Sequence, residues 1–331
     1  MIRSCNHSSF PKRADHPLNE PLNEAREAFT AGNLDAEAWA TAVDEATTLA
    51  VAEQARAFIE IVTDGQLGWS GAHQVAADWL DGVETGETID GLQPGTQEQQ
   101  LVIRGAIQRN GSIAKRTYEV AKRVALTQVV KVALPGPVAL ARRADDQHYG
   151  DLDALCDAFA EVLEAEVKEL AAAGAVAFQL DEPLLCQHPE DVDRVIRTAG
   201  RIFAAAGEGA MTTLSTYFGD LSAIVDRWAD LPGTHLGLEA LEGSANLELL
   251  SRLPEGRGVY LGAFDVSKPE EEDADDIIKR IEPYREALTS RDVIVGPNAG
   301  TEHLDRDVAF DKVLHARYVA EQLARDWEWA D

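Results

Sequence analysis

The 331-residue sequence predicts a (β/α)8 barrel forming a single domain over residues 1–331. Eight short apolar runs bounded by turn residues recur along the chain, amphipathic helical stretches separate most of them, and no shift in composition divides it. With 45% hydrophobic residues, the chain can fill a core of that size.

The predicted strands are "IRSCNH" near residue 2, "FIEIVTDG" from Phe58, "VVKVALPGP" from Val129 and "AVAFQLDEP" from Ala175, then "MTTLSTYFG" from Met211, "HLGLEA" from His235, "GVYLGAFDV" from Gly258 and "DVIVGPNAG" from Asp292. Helical spacing marks "LDALCDAFAEVLEAEVKELAAAG" and "EDVDRVIRTAGRIFAAAG", with Gly174 and Gly207 where C-caps are expected. Leu22 to Arg56 is helical and long for one connection. The alternating residues around Asn110-Gly111 predict a β-hairpin excursion before the third strand. A doubly wound open sheet is the competing architecture, but no Gly-rich phosphate fingerprint follows the first strand. No short repeat indicates a solenoid.

The formal net charge of −28 comes from 58 acidic against 30 basic residues, most of them Arg. Such a field argues against nucleic acid and anionic membrane as partners, because both need a positive surface that releases counterions. An acidic excess with few lysines suits a halophilic cytoplasm near molar salt, where a Debye length of about 3 Å screens self-repulsion. No apolar run reaches the roughly 18–20 residues of a membrane span, and the N-terminal stretch lacks a signal-peptide core, so the expected address is the cytoplasm. Cys5, Cys156 and Cys186 are too few and scattered for a disulfide framework, in agreement with a reducing compartment.

In such a barrel the chemistry sits at the C-terminal ends of the strands. Asp181 of "QLDEP" follows an apolar run, where a carboxylate either takes the ammonium of an amino-acid ligand or starts a helix, with Pro183 in its first turn. "TDGQLG" reads as a tight turn with Gly65 and Gly68, and "LPGPVAL" as a rigid one. Cys5 and His7 form a C-x-H triplet whose side chains share one strand face, two candidate zinc ligands that do not by themselves complete a site. His235 packs or points to solvent. "PEEEDADD" from Pro269 reads as a solvated acidic helix start. The absence of G-x-S-x-G, H-E-x-x-H and C-x-x-C removes the common hydrolase, zincin and redox classes.

Taken in order, "SSFP", "VTDGQLG", "LPGPV", "QLDEP", "STYFGD", "GAFDVSKP" and "GPNAG" resemble the cobalamin-independent methionine synthase family over essentially the whole chain. The resemblance implies a (β/α)8 barrel and methyl transfer from methyltetrahydrofolate to homocysteine, whose thiol is activated by zinc. It implies that Asp181 holds the homocysteine amino group, that the Ser9 turn meets the amino acid through its backbone, and that Gln66 replaces a substrate-binding glutamate. The family's fifth-strand His-x-Cys zinc pair is matched by Leu214 and Thr216, its last cysteine by Ala299, and its sixth-strand glutamate by Glu239. One of four zinc ligands is thus retained.

Full-length members of the family carry two barrels, and the N-terminal one has lost its metal and ends its fifth strand in Thr-Tyr-Phe, similar to "STYF" here. The expectation is a metal-less barrel that works with a zinc-bearing partner chain, with Lys12 and Arg13 as candidates for an anionic ligand such as the folate tail. Two alternatives stand beside it: a noncatalytic scaffold barrel, and a self-sufficient enzyme using Cys5, His7 and Glu239 as a replacement zinc site. A corrinoid carrier is the alternative methyl donor.

Overall fold

The structure, a computed structural model, describes residues 1–13, 15–270 and 272–327. The strands are β1 (Ile2–Ser4), β2 (Ile61–Val62), β3 (Leu80–Asp90), β4 (Gln97–Arg109), β5 (Val129–Val130), β6 (Val132–Pro135), β7 (Ala144–Asp146), β8 (Ala177–Asp181), β9 (Met211–Ser215), β10 (His235–Glu239), β11 (Gly258–Phe264) and β12 (Val293–Pro297). The helices are α1 (Glu20–Thr30), α2 (Ala36–Arg56), α3 (Val75–Trp79), α4 (Lys115–Val124), α5 (Pro137–Arg143), α6 (Leu152–Ala172), α7 (Val192–Ala204), α8 (Asn246–Leu249), α9 (Ala274–Ile281), α10 (Arg285–Leu288) and α11 (Arg306–Asp326). Every predicted apolar run carries a strand, the third divided at Lys131 into β5 and β6. The chain folds into two compact units, residues 1–68, 116–132 and 261–331, and residues 69–115 and 133–260.

In the first unit β1 pairs in parallel with β12, Ile2 opposite Val293 and Ser4 opposite Val295, and β12 lies beside β11. Isolated parallel bridges join Cys5 to Ile61 and Ser9 to Gly65, and β2 pairs in parallel with β5. The long connection after β1 is helical, as predicted. Asp35 caps α2 by accepting from the Ala38 N–H at 2.8 Å, and Val43, Ala46, Ala50 and Gln54 bury its inner face at helical spacing. Asp273 likewise caps α9, so the acidic run does start a helix; Glu271 of that run lies outside the described residues.

In the second unit β6, β8, β9 and β10 are successive neighbours, with Leu180 opposite Leu214 and Leu214 opposite Leu236 in parallel register. All residues of β8 and β10 are buried, the polar Gln179, Asp181, His235 and Glu239 included. Asp151 caps α6, whose Leu155, Phe159, Leu163, Val167 and Leu170 form the buried stripe. Gly174 and Gly207, at φ +95° and +85°, follow α6 and α7 as the C-cap signals predict.

The hairpin exists, but its turn is elsewhere. β3 and β4 pair antiparallel from Leu80 opposite Arg109 to Asp90 opposite Gln97, so the chain reverses at residues 91–96. Asn110-Gly111 instead leaves β4 toward α4, where the Gly111 carbonyl accepts from Trp79 Nε1 at 3.0 Å. Pro183 also heads a short 3-10 turn, Pro183–Cys186, and not an α-helix. Each unit holds parallel strands with helices between them, the α/β class that the sequence predicts. Among the described residues no helix is long and apolar enough to cross a membrane.

Candidate functional site

The end of β8 is built by backbone and carboxylate together. The Asp181 carbonyl accepts from the Gly136 N–H at 2.8 Å, and Asp181 Oδ1 accepts from Gln179 Nε2 at 2.7 Å. Asp181 is buried but for 8% of its surface. Glu182 turns the other way and is fully buried. Its two oxygens accept from the N–H groups of Val138 at 2.9 Å and Ala139 at 2.8 Å, in the first turn of α5, while its own N–H donates to the Ser215 carbonyl at 2.8 Å. Burial pushes its carboxyl up to about 8, against the pull of the two N–H donors. The turn that starts at Pro183 receives no side-chain cap: Glu182, at its N-cap position, gives its carboxyl group to α5 instead.

At the ends of β9 and β10, Leu214 is buried and Thr216 Oγ1 donates to the Gly237 carbonyl at 2.9 Å. Glu239 Oε1 accepts from the Phe218 N–H at 2.8 Å, and Phe218 sits at φ +58°, a left-handed conformation that a bulky residue rarely adopts. Cys186 is hydrogen-bonded to the Thr216 side chain. Burial and the neighbouring Glu239 push its thiol up to about 12. A Cβ on Gly219 would collide with the Cys186 Cβ at 2.6 Å, so this glycine is what lets the thiol approach. His235 is buried and pairs with the Thr234 hydroxyl at 2.9 Å.

The first unit places Ser9 at the bridge to Gly65, with its carbonyl taking the Thr301 hydroxyl at 3.0 Å and its own hydroxyl bonded to Glu302. Gln66 holds φ +53°, and its N–H donates to Asp64 Oδ1 at 3.1 Å. Asp64 Oδ2 takes the Thr117 hydroxyl at 2.5 Å. "TDGQLG" is therefore a tight turn, as read. Burial lowers half-buried Lys12 to about 8, with Glu302 opposing. Exposed Arg13 is engaged by Asp15 and by Asp305.

Cys5 and His7 are both buried, and the Cys5 thiol donates to the Asn6 carbonyl at 2.7 Å. Buried Lys131 is hydrogen-bonded to Cys5, while burial and the Lys131 charge hold His7 well below its usual value. Among the described residues the grouping with metal-binding spacing is His188, Glu190 and Asp191, whose two carboxylates pair with Arg142, and Asp191 also with Arg194.

The family described as "Cobalamin-independent synthase, Catalytic domain" matches residues 8–322. The chain belongs to that family. The methionine synthase of Thermococcus kodakarensis is 23% identical over 300 residues, 89% of this chain and 88% of that protein. The methionine synthase of Saccharolobus solfataricus is 22% identical over 315 residues, 94% of each. A B12-independent methionine synthase from Shewanella sp. W3-18-1, solved in complex with selenomethionine, shares the fold with a TM-score of 0.83 at 21% identity and 98% coverage of each chain.

This member of the family also carries features that the sequence did not announce. Glu182 was legible only as half of "DEP", Cys186 as a scattered cysteine, and Lys131 as the middle of an apolar run. A polar residue inside an otherwise apolar strand is the one signal that could have singled out Lys131.

Proposed function

We propose that this chain is the metal-less component of a two-barrel methionine synthase, its strands forming one (β/α)8 barrel over residues 1–331. In this reading Asp181 takes the homocysteine ammonium, and Ser9, Gln66 and Glu239 keep the substrate-binding roles that the family resemblance implies for them. The methyl donor is methyltetrahydrofolate or a related carrier, and its acidic portion is met by Lys12, because Arg13 is already engaged by Asp15 and Asp305.

The chemistry at the ends of β9 and β10 carries the proposal. Zinc needs thiolate, imidazole or carboxylate donors. At the matched positions Leu214 and Ala299 have none, the Thr216 hydroxyl is committed to a backbone carbonyl, and Glu239 Oε1 holds the Phe218 N–H. The thiol of Cys186, beside Glu239, stays protonated at neutral pH. These residues do not fit the family's zinc, and thiol activation falls to a zinc-bearing partner barrel.

The self-sufficient alternative is disfavoured by Lys131, since an ammonium group beside Cys5 and His7 opposes a metal cation. A zinc-bearing family chain mixed with this one should convert homocysteine to methionine, and Asp181→Ala should cut the mixture's activity at least tenfold. Full activity of the Asp181→Ala mixture makes this chain a scaffold.

A further inference from the structure

Asp181 and Glu182 are consecutive residues with divergent tasks. Asp181 ends β8 beside Gln179, and Glu182 is sealed against the first turn of α5. The fit there is close enough that a Cβ on Gly136 would fall inside the Glu182 carboxyl group. The backbone of this corner is tied from both sides, by Gly136 N–H on the Asp181 carbonyl and by Glu182 N–H on the Ser215 carbonyl. A change in charge on Glu182 is therefore felt by Asp181 through space, with little room for the backbone to relax.

We infer that Glu182 is a proton-linked positioning residue, whose carboxyl group gives up its proton when a ligand ammonium docks on Asp181. The inference rests on the amino-acid pocket proposed above. Before binding, the anionic Asp181 favours the protonated form of its neighbour. An ammonium group on Asp181 cancels that field, Glu182 ionises, and the two N–H donors of α5 receive a full carboxylate. The proton goes to solvent, and the ligand keeps its own.

The groups facing Glu182 support this sign. Asp181 comes from its own strand, Cys156 from α6, and Asp191 from the turn before α7. Arg142 and Arg194 engage Asp191, and the buried Cys156 thiol is itself pushed up to about 12, so Asp181 is the neighbour whose charge a ligand changes. Burial places the Glu182 titration at about 8, within the range where binding is measurable.

Calorimetric titration of the full chain with L-homocysteine and L-methionine, in two buffers of different ionisation enthalpy, tests the inference. At pH 7 the wild type should release part of a proton per ligand, and at pH 9 none from this source. Affinity should rise by about two- to sixfold between pH 6.5 and 8.5, the upper figure corresponding to a tenfold change in the acid dissociation constant of Glu182 on binding. Glu182→Gln should bind with no proton release and a flat profile, a readout that loss of a merely structural contact leaves in place. Binding without proton release in the wild type overturns the inference and leaves the pocket standing, as does release that persists in Glu182→Gln. No binding of either amino acid at any pH overturns the pocket and the inference together. The wild-type proton count requires no variant to fold.

Discussion

Glu239 Oε1 accepts the backbone N–H of Phe218 at 2.8 Å, and this bond helps hold a bulky residue at φ +58° just beyond the end of β9. In the family resemblance this glutamate is a zinc ligand. Here it holds a loop in a conformation that costs about 1–3 kcal/mol.

Removing that anchor should release the loop. Glu239→Ala should cost about 1.5–3 kcal/mol of stability, the value of a hydrogen bond to a charged group, while Glu239→Gln, which keeps an acceptor, costs less. Chemical denaturation of both variants in high salt measures the difference, and equal losses would mean that the bond to Phe218 contributes nothing.

Two glycines separate close packing from backbone conformation. Gly136→Ala should cost about 2–4 kcal/mol, because its Cβ has no place beside the Glu182 carboxyl. Gly207→Ala, at φ +85° with nothing within 4 Å of its would-be Cβ, should cost about 1–2 kcal/mol from conformation alone. Thermal unfolding that ranks them the other way would contradict the packed Gly136–Glu182 corner.

Glu182 also makes stability depend on pH. Its ordinary value is 4.5 and burial raises it to about 8, so between those pH values the folded chain holds a proton that the unfolded chain has lost. This group's contribution to stability is greatest below pH 4.5, declines as pH rises to about 8, and is level above that. Glu182→Gln should flatten that decline in denaturation curves taken from pH 5 to 9. An unchanged slope would place the titration elsewhere.

Lys12 should react as an unusually acidic amine. With burial lowering it to about 8, its acylation should rise through a midpoint near pH 8, measured by peptide mass spectrometry, well before ordinary surface lysines. A polyglutamate folate tail bound there should slow the reaction by favouring the charged form. A midpoint above 10 would remove Lys12 as the distinctive cation of this face.

Most of the fold was legible because its strands are buried on both faces. Runs such as "VALP" and "VIVGP" announce themselves by unbroken apolarity, and the helices between them by a three- to four-residue spacing and glycine stops. The hairpin turn was misplaced because Asn110-Gly111 carries a strong turn signal, yet that signal only marks a left-handed glycine at the exit from β4. Asp181 could be picked out by its place at a strand end. The capping role of Glu182 could not, because its N–H partners lie 43 and 44 positions away in α5. Likewise, nothing in the spacing of Cys186, Thr216 and Glu239 reveals that they meet, which depends on how β8, β9 and β10 line up.

The measurement that bears most directly on the central claim is the zinc content of the purified chain. It should be made by elemental analysis without a metal-binding tag, in high salt and with homocysteine present. The account predicts far less than one zinc per chain. About one zinc per chain, retained through dialysis, would contradict it and favour a self-sufficient methyltransferase with a ligand set other than the family's.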